Sequence, residues 1–143
     1  MTDARDALMV GRNTEGKTVR RPLSPHLQTY KLPLTAMLSV CHRATGTALS
    51  VGTLLLTWWL VAASSSDGAY ASVSGFMRSP IGWLLMLGWV ASLWYHFCSG
   101  LRHLAWDAGY GLNLPQTHLT SRAVIIATGV LTVLTFIIGI VAL

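Results

Sequence analysis

The sequence predicts an all-α integral membrane protein in which three transmembrane helices follow a basic N-terminal tail. Hydrophobic residues make up 52% of the 143 residues and charged residues only 10%, whereas about a quarter of the residues in a soluble domain are charged. Three windows, 44–66, 79–101 and 123–143, contain no Asp, Glu, Lys or Arg. Each window reaches the ~20 residues that a helix needs to cross a ~30 Å hydrocarbon core.

We expect an N-terminal tail over residues 1–31 and a membrane domain over residues 32–143. The helices are predicted at about 34–64, 79–106 and 120–143, allowing for apolar residues that flank the uncharged windows. A Ser-rich connector at 64–68 joins the first two helices. A second loop, rich in glycine, covers 107–122.

The basic residues lie mostly towards the N-terminus. The net charge is +5, and seven of the ten Lys and Arg residues precede position 44. The tail and the second loop hold nine basic residues when Arg43, Arg102 and Arg122 at the adjoining helix ends are included, whereas the first loop holds only Arg78. This distribution indicates membrane topology rather than nucleic-acid binding, and it predicts a cytoplasmic N-terminus with the C-terminus on the opposite side.

The second predicted helix carries a polar face. At 100° per residue its members lie within about 60° of one another; they are His96, Gly100, His103 and Asp107. An imidazole inside the bilayer with a glycine one turn away suits a haem, because the nitrogen can bind iron and the glycine lets the macrocycle approach the backbone. The alternative is a histidine that is hydrogen-bonded to a neighbouring helix or faces a water-filled cavity.

A single iron cannot take both histidines of this face. His96 and His103 are about 10 Å apart along the helix axis, too far for two ligands of one iron. His42 on the first helix is expected to point about 60° away from the stripe that carries Ser39 and Arg43, and to lie closer to the membrane surface. A second axial ligand is therefore expected from another subunit.

A second polar stripe lies on the first helix, and its members are Ser39, Arg43, Gly46 and Ser50. Arg43 can donate to a quinone carbonyl or a haem propionate, with Ser39 one turn away as a second donor. The alternative is that Arg43 is an interfacial anchor whose charged end reaches the water. The two remaining histidines are assigned no role; they are His26 and His118.

Two strings resemble the signatures of the succinate dehydrogenase cytochrome b subunit family. The first, at residues 21–45, is RPLSPHLQTYKLPLTAMLSVCHRAT, with the pattern Ser-x-x-His-Arg-x-Thr. The second, at residues 96–109, is HFCSGLRHLAWDAG, with the pattern His-x3-Gly-x-Arg-His-x3-Asp-x-Gly. Both match without a gap and fall on the first two predicted helices, whereas the third helix resembles the family only in being apolar.

The resemblance implies roles for five residues. His96 matches the axial ligand of haem b, whose other ligand comes from a second small membrane subunit. Ser39 and Arg43 match residues that line the ubiquinone site. His42 and His103, together with Arg43, are expected near the haem propionates. No residue of this chain is expected to catalyse succinate oxidation.

The resemblance also implies partners and a location. In this family a flavoprotein oxidises succinate and an iron–sulfur subunit passes the electrons to quinone, which joins the tricarboxylic acid cycle to the respiratory chain; the membrane subunits anchor both. The start at Met1 favours a bacterial cytoplasmic membrane, with the mitochondrial inner membrane as the alternative. Two rival functions are a haem-free anchor that shapes a quinone pocket, and a small transporter component using His96 and Asp107 as a proton relay.

Overall fold

The computed structural model describes residues 10–20 and 31–142. The chain divides into two compact units between Leu32 and Pro33. Residues 21–30, which begin the first family signature and include His26, lie outside the described residues.

The first unit contains a small β-hairpin that the sequence analysis did not predict. Strand β1 (Val10–Arg12) pairs antiparallel with β2 (Thr18–Arg20). The side chain of Asn13 accepts hydrogen bonds from the backbone of Glu15 at 3.1 Å and of Lys17 at 2.9 Å. Gly16 has a positive φ of 78°, which a residue without Cβ adopts at low cost. The turn stabilises the pairing of the two strands. With three residues each, the strands are too short to show a recognisable alternation of apolar and polar residues.

The second unit contains the three predicted membrane helices. They are α1 (Leu34–Ser65), α3 (Pro80–Asp107) and α4 (Leu114–Val141), and each is long and apolar enough to cross a membrane. This confirms the predicted fold class. We call the end of the bundle where α1 begins, α3 ends and α4 begins the basic end.

A short helix, α2 (Asp67–Met77), occupies most of the predicted first loop. Ser66 is the one extended residue between α1 and α2, and its hydroxyl accepts a hydrogen bond from Ala69 N at 3.2 Å. A serine cap followed by an aspartate in the first turn favours a helix start, because both stabilise the free N–H groups. The serine run therefore marks a helix boundary and only a very short connector.

The last helix begins at Leu114, six residues before the predicted start. Pro115 occupies the first turn of α4, where its missing N–H costs nothing. The true loop is short, and Gly109 and Gly111 adopt positive φ angles of 83° and 76° within it. Arg122 and His118, which had been placed in this loop, are exposed residues of α4.

Helix α3 packs against both α1 and α4. Trp94 Nε1 donates to Thr135 Oγ1 of α4 at 2.8 Å, and Tyr95 OH donates to the backbone oxygen of Leu38 in α1 at 2.8 Å. Between helices in a membrane, small residues and hydrogen bonds of this kind supply much of the attraction.

Helix α1 contacts α3 closely at Gly52, which is buried against the indole of Trp89. A Cβ at this position would overlap the Trp89 ring. Gly52→Ala is therefore expected to lower the stability of the purified complex by about 1–3 kcal/mol, since overpacking forces backbone or side-chain shifts. Its melting temperature provides the measurement.

Gly88→Ala is the matched control, because a Cβ at Gly88 of α3 meets no atom within 4 Å. This variant is expected to melt at or above the wild-type temperature, since alanine favours helix over glycine. Equal melting temperatures for the two variants would contradict the close α1–α3 contact.

Candidate functional site

The imidazole of His96 is held against the backbone of α1. Its Nδ1 lies 3.0 Å from the carbonyl oxygen of His42 and 3.4 Å from Thr45 Oγ1. A carbonyl oxygen can only accept a hydrogen bond, so Nδ1 carries a proton, and in the neutral imidazole the lone pair is on Nε2. The half-buried ring therefore presents one nitrogen that can ligate a metal.

The His42 ring faces α3, a neighbour that its expected offset of about 60° from the Ser39 stripe did not specify. Its ring stacks on His96 with 4.0 Å between ring centroids and 14° between planes. The sequence gives the angle between His42 and the Ser39 stripe, but it does not show which neighbouring helix either side of α1 faces. In the structure His42 lies on the stripe of α1 that faces α3, as does Thr45. Helical periodicity relates these residues to one another, but only packing decides which stripe meets the neighbouring helix.

Glycines on both helices make room for these rings. A Cβ at Gly46 of α1 would lie 3.0 Å from His96 Cε1, which is tighter than ordinary packing. A Cβ at Gly100 of α3 would lie 3.9 Å from His42 Cε1, an ordinary contact. The gap predicted beside His96 at Gly100 is thus lined by the His42 ring, while the glycine that lets His96 approach is Gly46.

The polar face predicted on α3 continues towards the basic end. The His103 ring lies 5.0 Å from the His42 ring and 5.3 Å from the Trp106 ring. His42 therefore contacts His96, Gly100 and His103 in turn, as their shared face predicts. Asp107 ends the helix as an exposed residue, without a salt bridge in the described part of the chain.

Ser39 and Arg43 lie on the flank of α1, beside the imidazole cluster. Arg43 is exposed, and its Nε donates to the backbone oxygen of Ser39 at 3.5 Å. Ser39 is half-buried one turn earlier. The guanidinium forms no salt bridge within the described residues, so it remains available to a ligand or to another chain.

One buried charge was missed. Arg102, counted from the sequence as a loop charge, lies inside α3 and is only 7% exposed. Its Cζ lies 4.2 Å from the centroid of the Trp106 ring. The spacing of Arg102 from Tyr95 and Ser99 places all three on one side of the helix and could have indicated its burial. Ser99 is almost fully buried.

Three spans with an imidazole cluster between two of them define an integral membrane protein with histidines packed between its helices. The cluster lies in the half of the bundle nearest the basic end. Residues 17–136 match the family described as succinate dehydrogenase/fumarate reductase transmembrane subunit. The chain belongs to this family.

Individual relatives are consistent with this family assignment. The chain is 52% identical to the succinate dehydrogenase cytochrome b556 subunit of Paracoccus denitrificans, over 82% of this chain and 91% of the relative. It is 36% identical to the subunit of the same name from Rickettsia felis, over 82% and 92%. It is 38% identical to the mitochondrial cytochrome b560 subunit of Bos taurus, over 80% and 69%. Both the bacterial and the mitochondrial branches of the family are thus similar to this chain.

Proposed function

We propose that this chain is the membrane anchor and haem b-binding subunit of a succinate:ubiquinone oxidoreductase. The observation that carries the proposal is the His96 imidazole, whose Nδ1 is hydrogen-bonded to the His42 carbonyl and whose Nε2 has no hydrogen-bond partner among the described residues. This is the arrangement of a metal-ligating histidine, because a hydrogen bond to the second nitrogen sets the tautomer and the ring orientation. The cytochrome names of the relatives support the same conclusion.

The surrounding residues fit a haem. His42 Nδ1 is buried and has no hydrogen-bond partner in the described part of the chain, so it can bond to a propionate. His103 next to it and the exposed Arg43 would add further donors for the two carboxylates. Haem b would supply a one-electron carrier, and these residues would hold it at the membrane depth of His96.

The second axial ligand comes from a second small membrane subunit. The His42 and His96 rings are stacked face to face at 4.0 Å, whereas two ligands of one iron point at it from opposite sides. His42 is therefore excluded as the opposing ligand by its stacking. The flavoprotein and iron–sulfur subunits are the other partners, and this chain anchors them to the membrane.

Ser39 and Arg43 form part of the quinone site. A guanidinium and a hydroxyl one helical turn apart offer charged and neutral donors to a carbonyl oxygen. The N-terminus and this end of the bundle face the cytoplasm in a bacterial inner membrane, because the basic residues gather there. A reporter fused to the C-terminus is expected on the non-cytoplasmic side.

A reduced-minus-oxidised absorption spectrum tests the proposal. The purified complex is expected to show a b-type spectrum with one haem per copy of this chain, whereas the chain expressed alone is expected to retain little haem, because one axial ligand and one face of the macrocycle would be left uncovered. A complex without b-type absorption would favour the haem-free anchor. Stoichiometric low-spin haem in the chain alone would contradict the shared ligation.

A further inference from the structure

The guanidinium of Arg102 has no counter-charge among the described residues. Its Nε and Nη1 atoms are covered and have no hydrogen-bond acceptor in the described part of the chain. Arginine keeps its positive charge at any physiological pH. A buried charge without a partner is strongly destabilising, so the assembled protein is expected to pair it.

The described part of the membrane unit offers no carboxylate for this purpose. Its acidic residues are Asp67, which begins α2 at the other end of the bundle, and the exposed Asp107, which forms no salt bridge with Arg102. The nearby Tyr95 donates its hydroxyl hydrogen to Leu38. The anion that balances Arg102 must therefore come from outside this part of the chain.

The depth of Arg102 in the membrane indicates the source of that anion. Arg102 lies about 33 Å from Pro80 along the axis of α3, slightly more than the ~30 Å thickness of the hydrocarbon core. When Pro80 lies at one boundary of the core, Arg102 lies at the other, close to the lipid phosphates. Trp106, under the guanidinium, is the side-chain type that concentrates at this level.

We propose that Arg102, stacked on Trp106, binds the phosphate of a phospholipid at the basic end of the bundle. The Nη2 atom is not among the covered atoms of the guanidinium, which leaves that edge open to a ligand. A phosphate oxygen can accept a charge-assisted hydrogen bond from Nη2, and the indole face holds the plane of the guanidinium. The exposed Arg43 at the same end raises the positive potential that attracts an anionic headgroup.

Phospholipid retention by the whole complex tests the proposal. Native mass spectrometry of the purified wild-type complex is expected to show a tightly held phospholipid that Arg102→Met lacks. Arg102→Lys keeps the charge but lacks the planar group that stacks on Trp106, so its apparent affinity for the lipid is expected to fall about tenfold. Arg122→Met removes an exposed charge from the same end and is expected to retain the lipid.

A second measurement uses only the wild-type complex and remains informative even if Arg102→Met does not assemble. After delipidation, dioleoylphosphatidylglycerol is expected to raise the melting temperature, whereas dioleoylglycerol, which has the same chains without the phosphate, is not. Inorganic phosphate at millimolar concentration is also expected to have no effect.

Four results would overturn the proposal. Equal protection by the two lipids would show that the phosphate is not recognised, and protection by inorganic phosphate would show that the site takes a free anion. Equal lipid retention in assembled wild-type and Arg102→Met complexes would place the lipid elsewhere. Loss of a protein subunit from Arg102→Met with lipid retained would identify a protein carboxylate as the counter-charge.

Discussion

His96→Leu is expected to remove the b-type absorption of the complex while the chain still inserts and assembles. Leucine is apolar and of similar size, so the contact with Gly46 on α1 can persist, but it offers no nitrogen to iron. The measurement is the reduced-minus-oxidised spectrum of the purified complex. A histidine that served only as a hydrogen-bond donor between helices would leave the spectrum unchanged.

Two other histidines serve as comparisons. His103→Leu is expected to keep the absorption and shift the midpoint potential by on the order of 40–60 mV, because the loss of one hydrogen bond near a cofactor changes its energy by about 1 kcal/mol. His118→Leu, an exposed change on α4, is expected to match wild type. If His103→Leu lost the absorption and His96→Leu kept it, His103 rather than His96 would be the iron ligand.

Arg43→Leu is expected to reduce quinone-dependent turnover by about 10- to 100-fold, because a charge-assisted hydrogen bond to a carbonyl oxygen contributes about 1.5–3 kcal/mol. Reduction of a soluble dye by the flavoprotein and iron–sulfur subunits is expected to be unaffected, since it bypasses the membrane site. The measurement is the ratio of the two activities. Normal quinone kinetics in Arg43→Leu would leave this arginine as an interfacial anchor.

Matched variants separate the site from the rest of the surface. Ser39→Ala is expected to reduce quinone turnover by about 3- to 10-fold, because a neutral hydroxyl is the weaker donor. Ser50→Ala lies on the same stripe, but the Ser50 hydroxyl donates to the Gly46 carbonyl at 3.1 Å, so little effect is expected. Arg122→Leu removes an exposed charge at the same end of the bundle. A general loss of activity across all these variants would point to surface charge.

The sequence by itself was sufficient for the three spans. A run of about 20 uncharged, mostly apolar residues has few stable alternatives to a membrane helix, because the backbone must satisfy its own hydrogen bonds in lipid. It was also sufficient for the shared face of His96, Gly100 and His103, since the positions of residues on a single helix follow from 3.6 residues per turn. Both inferences depend only on local geometry.

Helix boundaries were harder to predict where the same residue type is common both in loops and at the start of a helix. Ser66 and Pro115 were read as loop residues, yet each marks the start of a helix. Serine and proline are common both in turns and in the first turn of a helix. A serine hydroxyl can accept a hydrogen bond from a free backbone N–H, and proline has no N–H that would be left unpaired. Composition alone does not distinguish these uses.

The tertiary structure decided how residues on different helices meet. The expected offset of His42 from the Ser39 stripe, about 60°, did not show that its ring would stack on His96. Arg102 was counted as a loop charge and instead is buried beside Trp106. Helical periodicity fixes the angles between residues of one helix but leaves free the rotation of that helix about its own axis. That rotation is set by close contacts such as Gly52 with Trp89 and Gly46 with His96, because only glycine leaves room on α1 for the rings of the facing helix.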